Sequence, residues 1–432
     1  MLVHAEWVLP VAAAPVRDGA VLVRGDVIAD VGPLDSLLEA YPAEPVERHY
    51  GCVLLPGLVN AHTHLALTVL GGIVPSAPFA EWLPMLVRAM RALTPEALEA
   101  SVALGARHCL AAGVTVVGEI AYGSASRRIA EAAGIGGVFF SEVLGIDPAD
   151  LDDALAEAGY PEDRADRPRT RPGISPHSPY TSGPGLLRAA HARALADGVP
   201  HAIHVAESHA EAELFEQGTG ALAGTAGRFA IGLAPGSRTT PVAYLDDLGV
   251  LEGTLAIHCV QVGGADVEAL AARTAGVALC PRSNAYLHEG PAPVAALERA
   301  GARLALGTDS SASNLDLDVA DEARAVRTLS PGLTAERIVR MLTLDGAAAL
   351  ALEDSFGALL PGRQADLAIF RCAAAATDPY EAFVEAGGEA TCVAVLSAGA
   401  WRVCEGAVLA PPDAGLEGVL AEARAAARAA LA

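Results

Sequence analysis

Apolar and polar positions are arranged in two different ways along this chain. Through its middle, short runs that are apolar at nearly every position are separated by alanine-rich stretches with helical spacing. Strands that are apolar on both faces are typical of a parallel sheet covered by helices on both sides. Eight such units predict that the sheet closes into a (β/α)8 TIM barrel. The eight runs are Cys52–His64, Val114–Ile120, Gly137–Val143, Gly173–His177, Ala202–Ala206, Thr254–Val260, Gly276–Cys280 and Arg303–Thr308.

The stretches between these runs predict the helices that cover the barrel, because alanine and leucine dominate them and favour helix. One connection differs: Asp150–Arg171 is polar and rich in Asp, Arg and Pro, which predicts a loop. The end of the chain, Leu416–Ala432, predicts one more helix. The clearest helix candidates in the middle are Pro95–Ala111, Gly185–Ala196, Asp266–Arg273 and Pro293–Ala300.

The two ends of the chain read as short strands. Val16–Val31 alternates on both sides of Arg24-Gly25-Asp26, which predicts a hairpin. Ala365–Phe370 and Val393–Leu409 are also β-rich, with glycine turns. Since neither end has enough strands to bury a face alone, we expect both to form one small composite β-sandwich domain. The predicted boundaries are 1–54 and 358–432 for this domain, including the C-terminal helix, and 55–357 for the barrel.

Composition narrows the class of protein. Hydrophobic residues make up 52% of the chain, yet no apolar run reaches the roughly 18 residues that cross a bilayer. The first residues lack the basic start and apolar core of a signal peptide. A formal charge of −23 repels nucleic acid and anionic membranes, so we expect neither as a partner. The seven cysteines are scattered singly, which predicts reduced thiols in a cytoplasmic protein.

Ionisable residues collect where the predicted barrel strands stop. Active sites in such barrels are built at the C-terminal ends of the strands, so we expect these side chains to meet at one mouth of the barrel. They are His62 and His64 in the first run, His177 in the fourth, His204 and then Glu207 in the fifth, His258 in the sixth, and Asp309 after the eighth.

His62 and His64 give the first indication of a metal. Because they lie two apart on an extended segment, both imidazoles leave the same face. A third histidine and a carboxylate would complete a ligand set suited to zinc or a similar divalent ion. Such a pair alone is more often packed or exposed histidines, and only the combination with the other strand ends favours a metal. Glu207 taken alone is more often a residue of the first turn of the following helix, but just beyond a metal ligand we favour a proton shuttle.

Several segments resemble the amidohydrolase superfamily. The likeness is closest to the branch of cytosine, guanine and adenosyl-type deaminases and chlorohydrolases. Gly357–Asp366 also resembles the point at which members of that branch re-enter the small β domain. The segments that carry the resemblance are Leu55–His64 (LPGLVNAHTH), His204–Glu207 (HVAE), Ile257–Cys259 (IHC) and Leu306–Asp309 (LGTD).

The resemblance implies roles by position. Two-metal relatives carry a carbamylated lysine on strand four, where this chain has His177, so we expect one divalent ion, Zn2+ or alternatively Fe2+. Relatives also imply a homo-oligomer, a dimer or larger. The expected metal ligands are His62, His64, His204 and Asp309. The expected catalytic residues are Glu207, His258 and Asp309.

Four further residues are expected to bind the substrate. Trp82 resembles an aromatic residue that lies near the nucleoside in adenosine-type members, although a buried core tryptophan explains it equally well. His177 matches a substrate-contacting histidine. Relatives that act on S-adenosylhomocysteine or methylthioadenosine carry a ribose-binding Glu nine residues after that tryptophan, where this chain has Arg91. Arg282 either binds a substrate carboxylate or pairs with an acidic residue of a loop.

The implied reaction is hydrolytic deamination, the hydrolysis of a C–N bond that is not a peptide bond. A bound metal lowers the pKa of a water molecule, Glu207 moves its proton to a ring nitrogen, and His258 and Asp309 orient the water. Gly307–Asn314 and Cys280–Asn284 are similar to aminodeoxyfutalosine deaminases, which act in menaquinone biosynthesis on an adenine nucleoside that carries a benzoate. We therefore expect that purine nucleoside as substrate, and the two arginines fit its carboxylate.

Alternatives remain open at this point. The same machinery serves deaminases of S-adenosylhomocysteine, methylthioadenosine or 5′-deoxyadenosine, and also guanine and triazine hydrolases. The fold further admits a non-catalytic binding or scaffold protein. Such a protein would be expected to have lost a metal ligand or Glu207, and all of them are present.

Overall fold

The computed structural model describes residues 1–160, 169–226, 238–372, 377–386, 388, 391–409 and 414–432. Its strands, numbered along the chain, are β1 (Leu2–Val8), β2 (Val16–Arg24), β3 (Val27–Pro33), β4 (Val46–Pro56), β5 (Leu58–Thr63), β6 (Val114–Ala121), β7 (Gly136–Val143), β8 (Thr170–Pro176), β9 (His201–Val205), β10 (Thr254–His258), β11 (Gly276–Leu279), β12 (Leu304–Leu306), β13 (Leu367–Arg371), β14 (Cys392–Ser397), β15 (Ala400–Cys404) and β16 (Ala407–Val408).

The helices of the same residues, also numbered along the chain, are α1 (Leu34–Ala40), α2 (Phe79–Met90), α3 (Pro95–Ala111), α4 (Ala125–Ala133), α5 (Leu151–Glu157), α6 (Pro184–Asp197), α7 (His209–Gln217), α8 (Ala221–Ala226), α9 (Pro241–Asp247), α10 (Ala265–Arg273), α11 (Pro281–Tyr286), α12 (Val294–Ala300), α13 (Val319–Leu329), α14 (Ala335–Met341), α15 (Leu344–Ala349), α16 (Pro379–Ala386) and α17 (Ala414–Leu431). Two 3₁₀ helices cover Leu65–Leu70 and Pro148–Asp150. None of the helices that the structure describes is long and apolar enough to cross a membrane.

Strands β5 to β12 form the predicted barrel. Each strand pairs in parallel with its neighbour in the chain. The first and last strands meet through a parallel bridge between Thr63 and Asp309, which closes the sheet. Space at this seam is small, because a Cβ atom at Gly307 would lie 2.8 Å from the Cβ atom of His62. The TIM barrel predicted from the sequence is therefore confirmed.

The run Cys52–His64 was predicted as one barrel strand, and this prediction is wrong. The chain leaves one sheet for another at Pro56 and Gly57, so that β4 ends before β5 begins. Gly57 passes so close to strand β6 that a Cβ atom there would lie 2.1 Å from Oγ1 of Thr115. Continuous hydrophobicity concealed the break, because both halves of the run are buried.

Strands from both ends of the chain form the second sheet, as predicted. Its order is β16-β15-β14-β13-β4-β1-β2-β3, with β1 and β4 parallel and the other pairs antiparallel. The hairpin over Val16–Val31 is confirmed as β2 and β3. Side chains from the two halves of the sheet, including Val21 and Leu396, pack in one buried cluster. The domain boundaries stay a prediction.

The predicted helices are present, and Pro95–Ala111 coincides with α3. The predicted loop Asp150–Arg171 is only partly correct, because it contains helix α5 and the first residues of β8. Leu151 and Leu155 supply the buried face of that short helix. Residues 161–168, in the middle of the predicted loop, lie outside the described part of the chain.

The C-terminal helix α17 is present but packs elsewhere than predicted. It lies against α2, α3 and the 3₁₀ helix Leu65–Leu70 on the side of the barrel. Arg424 donates from Nη1 to the carbonyl oxygen of Val69 (2.8 Å) and from Nη2 to that of Gly71 (2.9 Å). Ala423 and Ala427 are buried in the same interface. The structure therefore associates α17 with the barrel, in contrast to its predicted place in the β domain.

Candidate active site

The predicted strand-end residues meet at one mouth of the barrel. His62 and His204 are the next-to-last residues of β5 and β9, and His258 is the last residue of β10. The carboxylates of Glu207 and Asp309 come from the connections that follow β9 and β12. The backbone turns sharply there, since φ is positive at Ala206 (52°), His258 (72°) and Asp309 (59°). Non-glycine residues rarely adopt this conformation, and where they do it often marks a functional site.

Four of these side chains form a set that fits a divalent metal. The ring nitrogens of His62, His64 and His204 lie within 4.8 Å of one another. Oδ1 of Asp309 is 3.4 Å from Nε2 of His62 and 3.4 Å from Nε2 of His64. Both ring nitrogens of His62 are buried without a hydrogen-bond partner among the described residues. Buried polar atoms of this kind require a partner, and a divalent ion with nitrogen and oxygen ligands supplies one.

Neighbouring groups orient these candidate metal ligands. The ring Nδ1 of His204 is 2.8 Å from the backbone carbonyl oxygen of His177, so Nδ1 carries the proton and Nε2 is free to bind. Hydroxyl groups of Ser283 and Ser313 each donate to Oδ2 of Asp309 at 2.6 Å. This leaves Oδ1 of the carboxylate for the histidines. The pattern is typical of metal sites, where outer groups fix the ligand atoms.

Electrostatics of the cluster agree with a bound cation. Burial and the other histidines lower the pKa of His64 to about 3. The same causes lower the pKa of His204 well below its usual value. Burial opposes ionisation of Asp309, but the adjacent rings of His62, His64 and His258 outweigh burial and lower its pKa. Neutral imidazoles and an ionised carboxylate are the forms that bind metal.

Glu207 and His258 lie beside the metal ligands. Nε2 of His258 is 3.5 Å from Oε1 of Glu207. Nδ1 of His258 is 3.1 Å from Oδ1 of Asn284, which fixes the proton on Nδ1 and turns Nε2 toward the site. Burial, together with the charges of Asp309 and other carboxylates, raises the pKa of Glu207 well above its usual value. A raised pKa makes a carboxylate a stronger base, which suits a group that takes up a proton and passes it on.

Glu211 supports the turn that carries Glu207. Its Oε1 accepts from the backbone N–H of Ala206 at 3.0 Å, and its Oε2 from that of Glu207 at 2.9 Å. It is 1% exposed, so neither hydrogen bond is shared with bulk water. The carboxylate therefore holds the backbone in the left-handed conformation at Ala206.

Of the predicted substrate contacts, His177 lies beside the candidate metal ligands, and Trp82 lies in a buried cluster that includes a neighbour of His177. His177 lies beside His204, with ring centroids 5.1 Å apart, and burial lowers its pKa to about 4. Trp82 is buried in a cluster with Tyr180 and Leu86, and its indole Nε1 has no acceptor among the described residues. Trp82 is thus a core residue whose indole N–H could still donate a hydrogen bond.

The two arginines that were predicted to contact the substrate have different surroundings. Arg282 donates from Nη1 and Nη2 to the two carboxylate oxygens of Asp316, at 2.7 and 2.9 Å, and its Nη1 is 3.7 Å from Oε1 of Glu322. Of the two roles considered for Arg282, the structure favours pairing with acidic residues of a loop. Arg91 follows α2 and is exposed. Neither side chain supports the prediction of a bound substrate carboxylate.

Several residues of the site were missed by sequence reasoning. Ser283 and Ser313 contact Asp309, and Asn284 contacts His258, only through the folded loops, although all three lie in the stretches Cys280–Asn284 and Gly307–Asn314 that the sequence singles out. Glu142 is different, because it ends the third barrel strand next to His177 and His204. The same strand-end reasoning would have found it.

The connection Gly71–Ala80 is tied to the connections that follow two other barrel strands. Tyr286 donates from its hydroxyl to the carbonyl oxygen of Val74 (2.6 Å), and Ser76 donates to the carbonyl oxygen of Tyr286 (2.6 Å). Glu289 accepts from the backbone N–H of Phe79 (3.1 Å) and from that of His209 (2.7 Å). Connections after the first, fifth and seventh strands are therefore joined over the site.

Comparisons with known proteins agree with this architecture. A model of the amidohydrolase family matches residues 53–402, and a model of a bacterial imidazolonepropionase-like composite domain matches residues 19–43. A 5-methylthioadenosine/S-adenosylhomocysteine deaminase of Pelotomaculum thermopropionicum is 34% identical over 366 residues, covering 81% of this chain and 79% of the relative. The aminodeoxyfutalosine deaminase of Deinococcus radiodurans is 35% identical over 342 residues, covering 76% and 80%.

A solved structure of a related protein has the same fold. The zinc-bound adenosine deaminase of Xanthomonas campestris superposes with a TM-score of 0.84 at 26% identity, covering 99% of this chain and 98% of that one. The sequence also contains no lysine, so it cannot supply the carbamylated lysine of two-metal relatives. Its motifs, its barrel and these matches lead to one conclusion: the chain belongs to the amidohydrolase family.

Proposed function

We propose that this protein is a metal-dependent hydrolase that removes the amino group of an adenine nucleoside as ammonia. The observation that carries the proposal is the meeting of four candidate ligands with Glu207 and His258 at the barrel mouth. The names of the relatives, which include adenosine, methylthioadenosine and aminodeoxyfutalosine deaminases, support the substrate class.

The proposed metal ligands are His62, His64, His204 and Asp309. One divalent ion held by them would act as a Lewis acid and lower the pKa of a water molecule toward neutrality. Histidine nitrogen and carboxylate oxygen suit both zinc and iron. Zn2+ is our first choice, because the Xanthomonas campestris relative binds it.

The chain's own residues would move the protons. Glu207 takes a proton from the attacking water and delivers it to the ring nitrogen next to the reacting carbon. His258 accepts a hydrogen bond through Nε2, because Asn284 holds the proton on Nδ1, and so orients the water together with Asp309. The hydroxyl group now on the carbon gives up the second proton of the water, the amino group gains a proton and leaves as ammonia, and the oxygen stays as a carbonyl.

Within this class, 6-aminodeoxyfutalosine remains the first substrate to examine. It is supported by the Deinococcus radiodurans relative and by the sequence stretches around Arg282 and Asp309. The pairing of Arg282 with Asp316 removes one argument for it. Methylthioadenosine, S-adenosylhomocysteine, 5′-deoxyadenosine and adenosine are therefore tested beside it, with guanine and a triazine as members of other substrate classes.

The experiment follows ammonia release by purified, metal-loaded protein with each compound. We expect turnover of at least one adenine nucleoside, at a kcat/KM above that for guanine or the triazine. Exclusive turnover of guanine or a triazine would contradict the nucleoside proposal. Turnover of none of them, with full metal content, would support a binding protein.

A substitution of Glu207 tests the proposed proton carrier. Glu207→Gln keeps the shape of the side chain but cannot take up a proton, so we expect kcat to fall by about 10²–10⁴-fold. Metal content, measured by atomic absorption, should remain as in the wild type, since Glu207 is not a proposed ligand. Glu213→Gln, on the next helix, is the matched control and should leave kcat unchanged. A loss of metal in Glu207→Gln would contradict the assignment.

Two properties of the whole protein are also proposed. All seven cysteines, each within the described residues, are free thiols, which supports a cytoplasmic location. The resemblance to relatives supports a homo-oligomer, which sedimentation of the purified protein would test.

A further inference from the structure

Glu322 is a buried carboxyl group that joins two of the segments around the candidate site. It lies in the first turn of α13 and is 0% exposed. Its Oε1 accepts a hydrogen bond from Nδ2 of Asn314 at 2.8 Å, and its Oε2 accepts one from the backbone N–H of Arg282 at 3.0 Å. Asn314 follows the eighth barrel strand and Arg282 follows the seventh. One carboxyl group therefore ties together the connections after these two strands.

Both of these connections reach the same oxygen of Asp309. The hydroxyls of Ser313 and Ser283 each donate to Oδ2 of that carboxylate at 2.6 Å. Each serine is adjacent in the chain to one of the two residues that Glu322 contacts. Two donors from different segments meet one oxygen atom only when the spacing between the segments is fixed, and the carboxyl group of Glu322 fixes it.

Asn314 closes the loop that carries Asp309. Its Nδ2 also donates to the carbonyl oxygen of Thr308 at 2.9 Å, and its Oδ1 accepts from the backbone N–H of Leu315 at 2.8 Å. Both hydrogens of the amide and its oxygen are thereby used. The loop is closed at its base by this side chain, and Glu322 anchors the closed loop to α13.

The other oxygen of Glu322 caps helix α11. The first N–H groups of a helix have no partner within it, and Cys280 at the N-cap makes no side-chain hydrogen bond to them. Glu322 accepts from the second residue of this helix instead. Two residues further on, Asn284 contacts Nδ1 of His258 at 3.1 Å. The position of α11 therefore affects the orientation of His258 as well as that of Asp309.

The ionised form of Glu322 suits both hydrogen bonds best, because a proton on one oxygen would weaken it as an acceptor. Burial raises the pKa of Glu322 to about 8, although the guanidinium of Arg282, with Nη1 3.7 Å from Oε1, acts in the opposite direction. Variants of this residue are therefore compared with the wild type at about pH 9, where the carboxyl group is mostly ionised.

We propose that Glu322 is a positioning residue of the active site. By joining Asn314 to the backbone of Arg282, it sets the spacing of the two segments that orient Asp309 and His258. The inference rests on the proposed function, in which Asp309 binds the metal and orients the water together with His258.

The isosteric variant Glu322→Gln tests this role, because an amide has one acceptor oxygen and must release either Asn314 or Arg282. We expect the affinity for Zn2+, measured by competition with a chromophoric chelator, to fall by about 10-fold, as when an outer partner of a metal ligand is lost. At saturating Zn2+, kcat on the adenine nucleoside that the wild type turns over fastest should fall by about 10-fold, whereas KM should change by less than about 3-fold.

A double-mutant cycle determines whether the effect passes through Asp309. Ser283→Ala removes one donor to Oδ2 of Asp309. If Glu322 acts by placing that donor, the loss of Zn2+ affinity in the double variant should be smaller than the product of the two single losses. Single losses that multiply fully would overturn the proposal.

The matched control is Asp266→Asn. Asp266 is also a buried carboxyl group in the first turn of a barrel helix, α10, and accepts from Oγ1 of Thr240 at 2.6 Å. Its replacement should leave Zn2+ affinity, kcat and KM as in the wild type. If Glu322→Gln does not fold, Glu322→Asp keeps the charge but is one methylene too short to reach both segments, and should cause losses in the same direction.

The outcomes separate the two proposals. A Glu322→Gln protein that loses only thermal stability, or in which KM alone changes, would overturn the role of Glu322. The Zn2+ measurements need no substrate, so a wild-type protein that deaminates no adenine nucleoside would overturn the proposed function and leave them decisive for Glu322. A wild-type protein that binds no divalent ion would overturn both.

Discussion

At the scale of single residues, one polar atom of a functional side chain in this site is hydrogen-bonded to the surrounding protein, and the other is left for a ligand. Hydroxyls of Ser283 and Ser313 occupy Oδ2 of Asp309, and a backbone carbonyl occupies Nδ1 of His204. The atoms that remain point at one another across the mouth. Pre-oriented ligands of this kind bind metal more tightly, because the protein need not rearrange.

Removing one of these hydroxyls should weaken the metal site. Ser313→Ala takes away a 2.6 Å donor to Asp309 and should lower metal affinity by about 10–100-fold. Competition with a chromophoric chelator measures the change. The matched control is Ser311→Ala, because the buried Ser311 hydroxyl has no partner among the described residues. Equal losses in both variants would show that small changes in this loop, and not the lost donor, affect binding.

A second residue-scale prediction concerns acid sensitivity. His201 is buried, with Nδ1 2.9 Å from Oγ1 of Thr254, and burial together with His191 lowers its pKa from 6.5 to about 3. The unfolded chain therefore binds one more proton than the folded protein between these values. Stability is fully present above about pH 6.5 and is lost as the pH falls toward 3.

Urea unfolding at pH 7.5 and pH 5.5 measures this effect. Between those pH values His201 should account for a loss of about 1 kcal/mol. His201→Gln, which keeps a donor for Thr254, should show a smaller pH-dependent loss than the wild type. His288→Gln, at an exposed histidine, should behave as the wild type does. An unchanged slope in His201→Gln would assign the acid sensitivity to other groups.

At the scale of elements, the C-terminal helix α17 supports the part of the chain that follows the first metal ligands. Arg424 binds the last carbonyls of the 3₁₀ helix Leu65–Leu70. That helix begins directly after His64, and α2 with Trp82 follows it. The packing of α17 is thus separated from His64 by the two turns of this short helix.

Arg424→Met should therefore affect both stability and substrate binding. Loss of two hydrogen bonds to backbone carbonyls at a partly buried position should cost about 1–2 kcal/mol and lower the melting temperature by a few degrees. We also expect a rise in KM with little change in kcat, since Trp82 is displaced and Glu207 is not. Arg428→Met, at an exposed position of the same helix, is the control. A fall in kcat alone would contradict this account.

The sequence predicts the elements better than it predicts their boundaries and partners. Apolar runs and alanine-rich helices identify the barrel, because burial on both faces and helical spacing are local signals. The break at Gly57 is invisible in the pattern, since both flanking strands are buried. Arg282 looked like a ligand-binding residue because Asp316, its partner, is 34 residues away and is brought near only by folding. Histidines at strand ends were predictable because topology alone brings them together.

At the scale of the whole molecule, the site and the closure of the barrel share residues. The bridge between Thr63 and Asp309 joins the first strand to the last, and the backbone N–H of Asp309 donates to the carbonyl oxygen of His62 at 3.1 Å. A cation held by His62, His204 and Asp309 would connect both sides of this seam with β9, which lies elsewhere in the barrel.

Metal removal should therefore destabilise the entire barrel. A ligand present at about 1,000 times its Kd stabilises a protein by about 4 kcal/mol, so dialysis against a chelator should lower the melting temperature by several degrees. Re-addition of Zn2+ should restore both the melting temperature and the activity. A melting temperature that is independent of metal would show that the ion does not contribute to closure.

The seam also has a consequence during synthesis of the chain. His62 leaves the ribosome 247 residues before Asp309, and the strand that Asp309 follows must insert next to β5 before the ligand set is complete. A nascent or truncated chain that ends before this strand carries three histidines of the set but no carboxylate to join them. With the proposed ligand set, metal loading would be a late step, and tightly bound metal would report that the last strand has taken its place.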